Sequence, residues 1–214
     1  MILRMPAAAA PRRLHLGPCF AAALLLAACQ TAPKPVPPGA APEQVIAGWP
    51  AREALLQERS QFTAQGRIGV AAGADGFNGH LRWIQDGARS TISLDGPLGV
   101  GGARITSEPG LLTLTTPSGA ALDSQAAQDE LVRRMGFEPP LQSLRYWLQG
   151  VPDPAGPSTE TTDAQGYLAS LAQSGWTLTC SAYMQTAAGA LPQKLTLVRG
   201  TVRVRLIIES WTSP

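Results

Sequence analysis

From Gln61 onward, apolar and polar residues alternate with a period of two. Phe62, Ala64, Gly66, Ile68 and Val70 alternate with Thr63, Gln65 and Arg67, and Phe77, Leu81 and Trp83 alternate with Asn78, His80 and Arg82. Ile92 and Leu94 alternate with Thr91 and Ser93, Ala103 and Ile105 flank Arg104, and Leu112 and Leu114 flank Thr113. The segments are short and bounded by turn-forming pairs, Asp75-Gly76, Asp86-Gly87 and Pro109-Gly110. Such spacing predicts an antiparallel sheet with one apolar face.

The period changes at Gln125. Ala127, Leu131 and Met135 fall at helical spacing, Pro139 and Pro140 interrupt, and Leu141, Leu144 and Leu148 resume on one face. Two short amphipathic helices inserted among strands are suited to covering one opening of a curled sheet. Ala51–Arg59 is a third helical run, with Pro50 in its first turn, where proline is tolerated. Val151 to Gln165 reads as a polar loop. Strands resume at Trp176-Thr177-Leu178-Thr179-Cys180, at Lys194–Arg199, and at Val202, Val204, Leu206 and Ile208, with Gly200 as the last turn. No internal repeat is visible.

The N-terminal stretch follows other rules. Arg4, Arg12 and Arg13 precede an apolar run from Cys19 to Ala28. That run is too short to span a bilayer, which takes ~20 apolar residues, but it suits a secretory signal. Leu26-Ala27-Ala28-Cys29 resembles a lipobox, which makes residues 1–28 a signal peptide and Cys29 the acylated first residue. Gln30 stands where an Asp would retain a lipoprotein in the inner membrane. Five prolines between Thr31 and Pro42 make residues 29–48 a stiff tether of ~3 Å per residue. Residues 49–214 then form one domain.

This processing changes the charge. The chain holds 17 basic and 15 acidic residues, and the leader removes three Arg and no acid. The remaining 14 basic and 15 acidic residues give a formal net charge of −1, so no nucleic-acid partner is expected. Cys180 is left as a lone thiol, which suits a small buried hydrophobe rather than a disulfide or a Cys-based metal site.

No catalytic constellation and no metal or cofactor site emerges. His80 is the one histidine beyond the leader and lies on the polar face of a strand. Gly-x-Ser-x-Gly is absent. Gly99-Val100-Gly101-Gly102 does not match a phosphate loop and reads as a close turn. Asp129 and Glu130 are adjacent on a helix and cannot face one site. An enzyme is therefore not expected. On the residues alone, a structural or assembly lipoprotein without a lipid cavity and an esterase-like envelope enzyme both stay open.

Several ordered segments carry a resemblance. Gly66-Arg67-Ile68-Gly69-Val70, Phe77-Asn78-Gly79-His80-Leu81-Arg82-Trp83 and Gly96-Pro97-Leu98-Gly99 resemble the LolB family. So do Leu144 through Pro152, Gly175-Trp176 and the terminal strand from Arg203 to Trp211. The resemblance implies an unclosed antiparallel β-barrel, mainly β with some α, enclosing an apolar cavity under short helices. It implies a monomeric outer-membrane receptor, lipid-anchored and facing the periplasm, that takes lipoprotein acyl chains from the soluble carrier LolA and inserts them into outer-membrane lipid. On the same ground Pro97, Leu98 and Gly99 form a membrane-insertion loop with Leu98 at its tip. Gly96, Pro97 and Gly99 independently favour a turn. The family usually has an aromatic residue where this chain has Cys180. The candidate acyl-chain cavity comprises Ile68, Leu81, Trp83, Ile92, Leu94, Ile105, Leu114, Trp147 and Leu148.

Overall fold

The computed structural model describes residues 48–96 and 102–213. The signal peptide, Cys29, nearly all of the tether, and the candidate insertion residues Pro97, Leu98 and Gly99 lie outside the described residues.

Helix α1 (Trp49–Glu58) leads into strands β1 (Gln61–Ala72), β2 (Asp75–Asp86), β3 (Arg89–Asp95), β4 (Ala103–Glu108), β5 (Leu111–Thr115) and β6 (Ala121–Asp123). Helices α2 (Ser124–Met135) and α3 (Leu141–Trp147) follow. The chain returns through β7 (Ser158–Thr162), β8 (Leu168–Gln173), β9 (Trp176–Thr186), β10 (Gly189–Arg199) and β11 (Val202–Thr212). All eleven strands form one antiparallel sheet in the order β6-β5-β4-β3-β2-β1-β11-β10-β9-β8-β7. Two meanders meet where β1 pairs with β11, and the edges β6 and β7 do not pair with each other. The helical pair is the covalent link between those two edges. The predicted architecture, an unclosed antiparallel half-barrel covered by short helices, is the one observed.

Alternation sets the inner face. Phe62, Ala64, Ile68 and Val70 of β1 are buried, as are Val202, Val204, Leu206 and Ile208 of β11, while the intervening residues point outward. Helix α2 contributes Ala127, Leu131 and Met135 to the same core. It ends at Gly136 in the left-handed conformation (φ 76°), whose N–H closes on the Val132 carbonyl at 2.8 Å.

The central pairing is bent. Gln65 faces Ser210 but Gly66 faces Ile208, which leaves Glu209 as an extra residue on β11. A bulge of this kind bends the strand and sharpens its twist, helping a sheet to curl. Gly66 is required there, because a Cβ would sit 2.0 Å from the Ile207 carbonyl oxygen. A second irregularity falls at Pro192 and Lys194 of β10, a position where proline is compatible with a strand.

Several boundaries differ from the alternation pattern. The first hairpin turns at Gly73 and Ala74, while Asp75-Gly76 opens β2. The loop expected over 151–165 contains β7, and β8 and the short β6 were also not anticipated. β7 reads Ser-Thr-Glu-Thr-Thr, an edge strand with no buried residue and hence no alternation to detect.

Gly66→Ala is expected to lower unfolding free energy by about 3 kcal/mol. Gly156→Ala, where a Cβ meets nothing within 4 Å, is expected to stay within about 0.5 kcal/mol. Urea denaturation of the two variants separates a steric role at the bulge from a general intolerance of added methyl groups.

Candidate lipid-binding cavity

Between the inner face of the sheet and the helical pair lies a cavity of about 50 Å³ with no polar residue in its wall. Strands supply Ile68, Leu81, Trp83, Ile92, Leu94, Ile105, Trp176, Leu197, Val204 and Leu206. The cover supplies Met135, Phe137, Pro139, Pro140, Leu141, Leu144 and Leu148. Of the nine candidate cavity residues, seven meet here. Leu114 and Trp147 do not. Leu114 is fully buried in the row it shares with Ile105 and Leu122, on a strand against which α2 packs. Trp147 is buried with its indole N–H donated to Gln173 Oε1 at 2.8 Å. Sequence reasoning missed most of the cover as cavity wall, although Met135, Leu141 and Leu144 stood out at helical spacing. Val204 and Leu206 carried the strand signal, since they share parity with buried Ile208.

Two larger clefts adjoin the cavity. One, of about 350 Å³, shares Leu94, Ile105 and Met135 with it and adds Phe77, Asn78 and Arg134. The other, of about 490 Å³, shares Pro139, Pro140 and Leu141 and runs past Leu111, Gln125 and Glu138. The walls between these spaces are largely the C-terminal turn of α2 and the segment leading into α3.

The cover is held unequally. At the C-terminal end of α3, buried Gln173 accepts from Trp147 Nε1 and from the Asp153 amide (2.9 Å), and donates to the carbonyls of Asp153 (2.7 Å) and Gly156 (3.0 Å). Both donors and both acceptor sites of its amide are thus spent on fixing that end. The front of α3 has one side-chain hydrogen bond to the sheet, Gln142 Nε2 to Ser107 Oγ at 2.9 Å. Ahead of α3, the Glu138 carbonyl accepts from Arg199 of β10 at 3.5 Å and its carboxylate from Gln128 of α2 at 2.7 Å, and Phe137 packs edge-on to Trp176 at 5.6 Å. Ser124, at the start of α2, has φ 46°, an uncommon conformation for a residue other than glycine.

The opposite end of the sheet is closed by α1. The guanidinium of Arg52 is buried, donates to the Ala190 carbonyl and lies 4.8 Å from the centre of the Tyr167 ring. Burial lowers its pKa from the usual arginine value. Cys180 is buried and free, and burial pushes its thiol up to about 12, so it behaves as the small hydrophobe expected. His80 is exposed on β2. Glu130 takes both Arg133 and Arg134, which hold its carboxyl down at about 2, while Asp129 accepts from Gln125. Among the described residues no three His, Cys, Asp or Glu side chains converge as metal ligands, and no helix is long and apolar enough to cross a membrane.

Residues 60–211 match the model of the family described as outer membrane lipoprotein LolB. The chain belongs to the LolB family. An outer-membrane lipoprotein LolB from Nitrosococcus oceani is 34% identical over 189 residues, covering 88% of this chain and 92% of its own length. The LolB of Pseudomonas fluorescens is 33% identical over 165 residues, covering 77% of this chain and 80% of that relative. A solved structure of a DUF1329 family protein from Desulfovibrio piger superposes with a TM-score of 0.53 at 10% identity, covering 76% of this chain and 89% of its own. That last likeness is one of fold alone.

Gln173→Leu is expected to cost about 3 kcal/mol, because it strands the Trp147 indole N–H and the Asp153 and Gly156 backbone groups. Thermal unfolding measures the loss. Gln142→Ala, which breaks only the front tie of α3, is expected to cost no more than about 1.5 kcal/mol.

Proposed function

We propose that this chain is an outer-membrane lipoprotein receptor of the lipoprotein-sorting pathway and not an enzyme. It is anchored through acylated Cys29 and faces the periplasm as a monomer. It accepts the acyl chains of lipoproteins from a LolA-type carrier and releases them into outer-membrane lipid. The observation that carries this reading is the wall of the cavity between sheet and cover, which is apolar throughout. A site for chemistry on a polar substrate needs placed donors, acceptors or titratable groups, and none lines this space. A site for acyl chains needs only dry apolar surface.

The energetics favour passive transfer. Burial is worth about 0.8 kcal/mol per methylene, so a chain of roughly 15 methylenes has about 12 kcal/mol at stake. No protein-catalysed step is needed, only rising affinity from carrier to receptor to bilayer. Volume adds a constraint. If a methylene takes about the space of a water, ~30 Å³, one such chain needs roughly 450 Å³. The cavity is the smallest of the three adjoining spaces, so a whole chain is read as extending from it into the clefts beside it. Lifting the segment from Met135 to Leu141 would join the cavity to both clefts, and the loosely held front of α3 is the part free to move. Gln173 keeps the other end in register. Leu98 of the Pro97-Leu98-Gly99 segment acts as a membrane wedge, its burial in lipid worth about 1.5–3 kcal/mol.

Two outcomes test this mechanism. Joining Ser107→Cys to Gln142→Cys with a short thiol cross-linker is expected to abolish uptake of a fluorescent fatty-acyl probe, and cleaving the linker to restore it. Uptake by the locked protein would rule out opening at α3. Leu98→Glu is expected to leave acceptance of a labelled lipoprotein from the carrier intact while blocking its delivery to vesicles. Normal delivery by that variant would remove the wedge role.

A further inference from the structure

Around the helices acids and cations are mixed: Glu53, Glu58, Asp129, Glu130, Glu138 and Asp153 stand with Arg52, Arg59, Arg133, Arg134 and Arg145. The outer face of the sheet from β4 to β10 carries Arg82, Arg104, Lys194, Arg203 and Arg205, all exposed.

Register shows how they are set out. Arg104 faces Ser93, which faces Arg82, so two arginines share one row across β4, β3 and β2. Arg205 lies between Gly69 and Thr196, and Arg203 between Ala71 and Val198. Lys194 pairs with Ile207, which pairs with Arg67. Arg203 and Arg205 are two residues apart on one strand, and Arg82 and Arg104 are two strands apart in one row; with adjacent strands ~4.8 Å apart, the cations within each pair sit within about one Debye length of each other at physiological salt. Among the described residues none of the five is in an ion pair. The acids on the outward rows of these strands are Glu209, bound to Arg67 at 2.8 Å, Glu108, bound to Arg89 at 2.8 Å, Asp95, opposite His80, and Asp86, opposite Arg89. Gly69, Ala71, Gly76 and Ser93 lie between the long side chains and keep the surface low. Arg104, Arg203 and Arg205 come early in their strands, at the end of the sheet where β3 stops and β4 begins.

We propose that this arginine-bearing outer face docks the domain onto anionic phospholipid headgroups. The proposal rests on the reading of the chain as a receptor working at a membrane. Charge complementarity selects phosphate-bearing lipid. None of the five cations lines the cavity or either cleft, and no aromatic residue stands among them, so the face lacks the anchors typical of a specific protein interface. Dispersed cations on a low surface suit an array of headgroups, for which each Lys or Arg near the membrane contributes roughly fivefold in partitioning. A tether from Cys29 holds the domain at high effective concentration near those headgroups. An acyl anchor with a basic patch is the two-signal arrangement that makes peripheral attachment stable. Docking by this face leaves α2 and α3 turned away from the lipid, open to a soluble carrier.

The test uses the chain from residue 29 onward with Cys29→Ser, so that no acyl chain contributes. Its co-sedimentation is measured with vesicles of phosphatidylethanolamine, with and without phosphatidylglycerol. Binding is expected with phosphatidylglycerol alone and is expected to weaken as salt rises. R203Q/R205Q is expected to reduce it roughly tenfold or more, and R203K/R205K to retain it. Uptake of the fatty-acyl probe is expected to be equal in all three proteins, which keeps the cavity reading separate from this one. Equal binding to both vesicle types, or binding unchanged in R203Q/R205Q, overturns the proposal. So does unchanged vesicle binding with impaired transfer from the carrier, which would assign the face to an acidic protein.

Discussion

The structure depends on one geometric constraint. An eleven-stranded sheet with one apolar face curls, but its edge strands β6 and β7 do not meet. The apolar inner face therefore cannot be sealed by further strand pairing and needs a cover of another kind. The chain supplies that cover from the segment that joins the two edges, so sheet and helices are coupled by connectivity as well as by packing. A short edge such as β6, beside the helix that packs on it, also limits exposure of unpaired backbone groups.

A cover held mostly by apolar contact has a consequence that a closed barrel would not. Strand pairs resist separation because each broken rung exposes backbone donors and acceptors together. Apolar contact between α3 and the sheet is non-directional, and an apolar ligand can replace it. The directional bonds are placed unevenly, with Gln173 fixing one end of α3 and the Gln142–Ser107 and Arg199–Glu138 bonds holding the front.

Much of this was legible in the residues and some was not, for physical reasons. Alternation over 62–70 and 202–208 is written by burial on one face, so strands at the centre of the sheet are readable. β7 is an edge with no buried residue, and nothing in Ser-Thr-Glu-Thr-Thr distinguishes it from a polar loop. Helical spacing at Ala127, Leu131 and Met135 located α2, which ends at Gly136, ahead of the paired prolines expected to end it. Whether an apolar residue lines a void or fills solid core depends on what faces it across the sheet, and local spacing does not record that. Hence spacing does not reveal that Leu114 and Trp147 lie outside the cavity wall while Phe137 and Leu197 are part of it. The bulge at Glu209 and the network around Gln173 join residues far apart in the chain, with no local signal at either end.

The most direct test of the central claim is a structure of this chain with a diacylated lipopeptide bound. The account predicts acyl chains lying between the sheet's inner face and the helices, with Leu81, Ile92 and Ile105 against them. The segment around Pro139–Leu141 would be displaced outward, and the Gln173 bonds to Trp147 and Asp153 would be intact. Acyl chains bound on the outer face of the sheet, with α2 and α3 in their present positions, would contradict it.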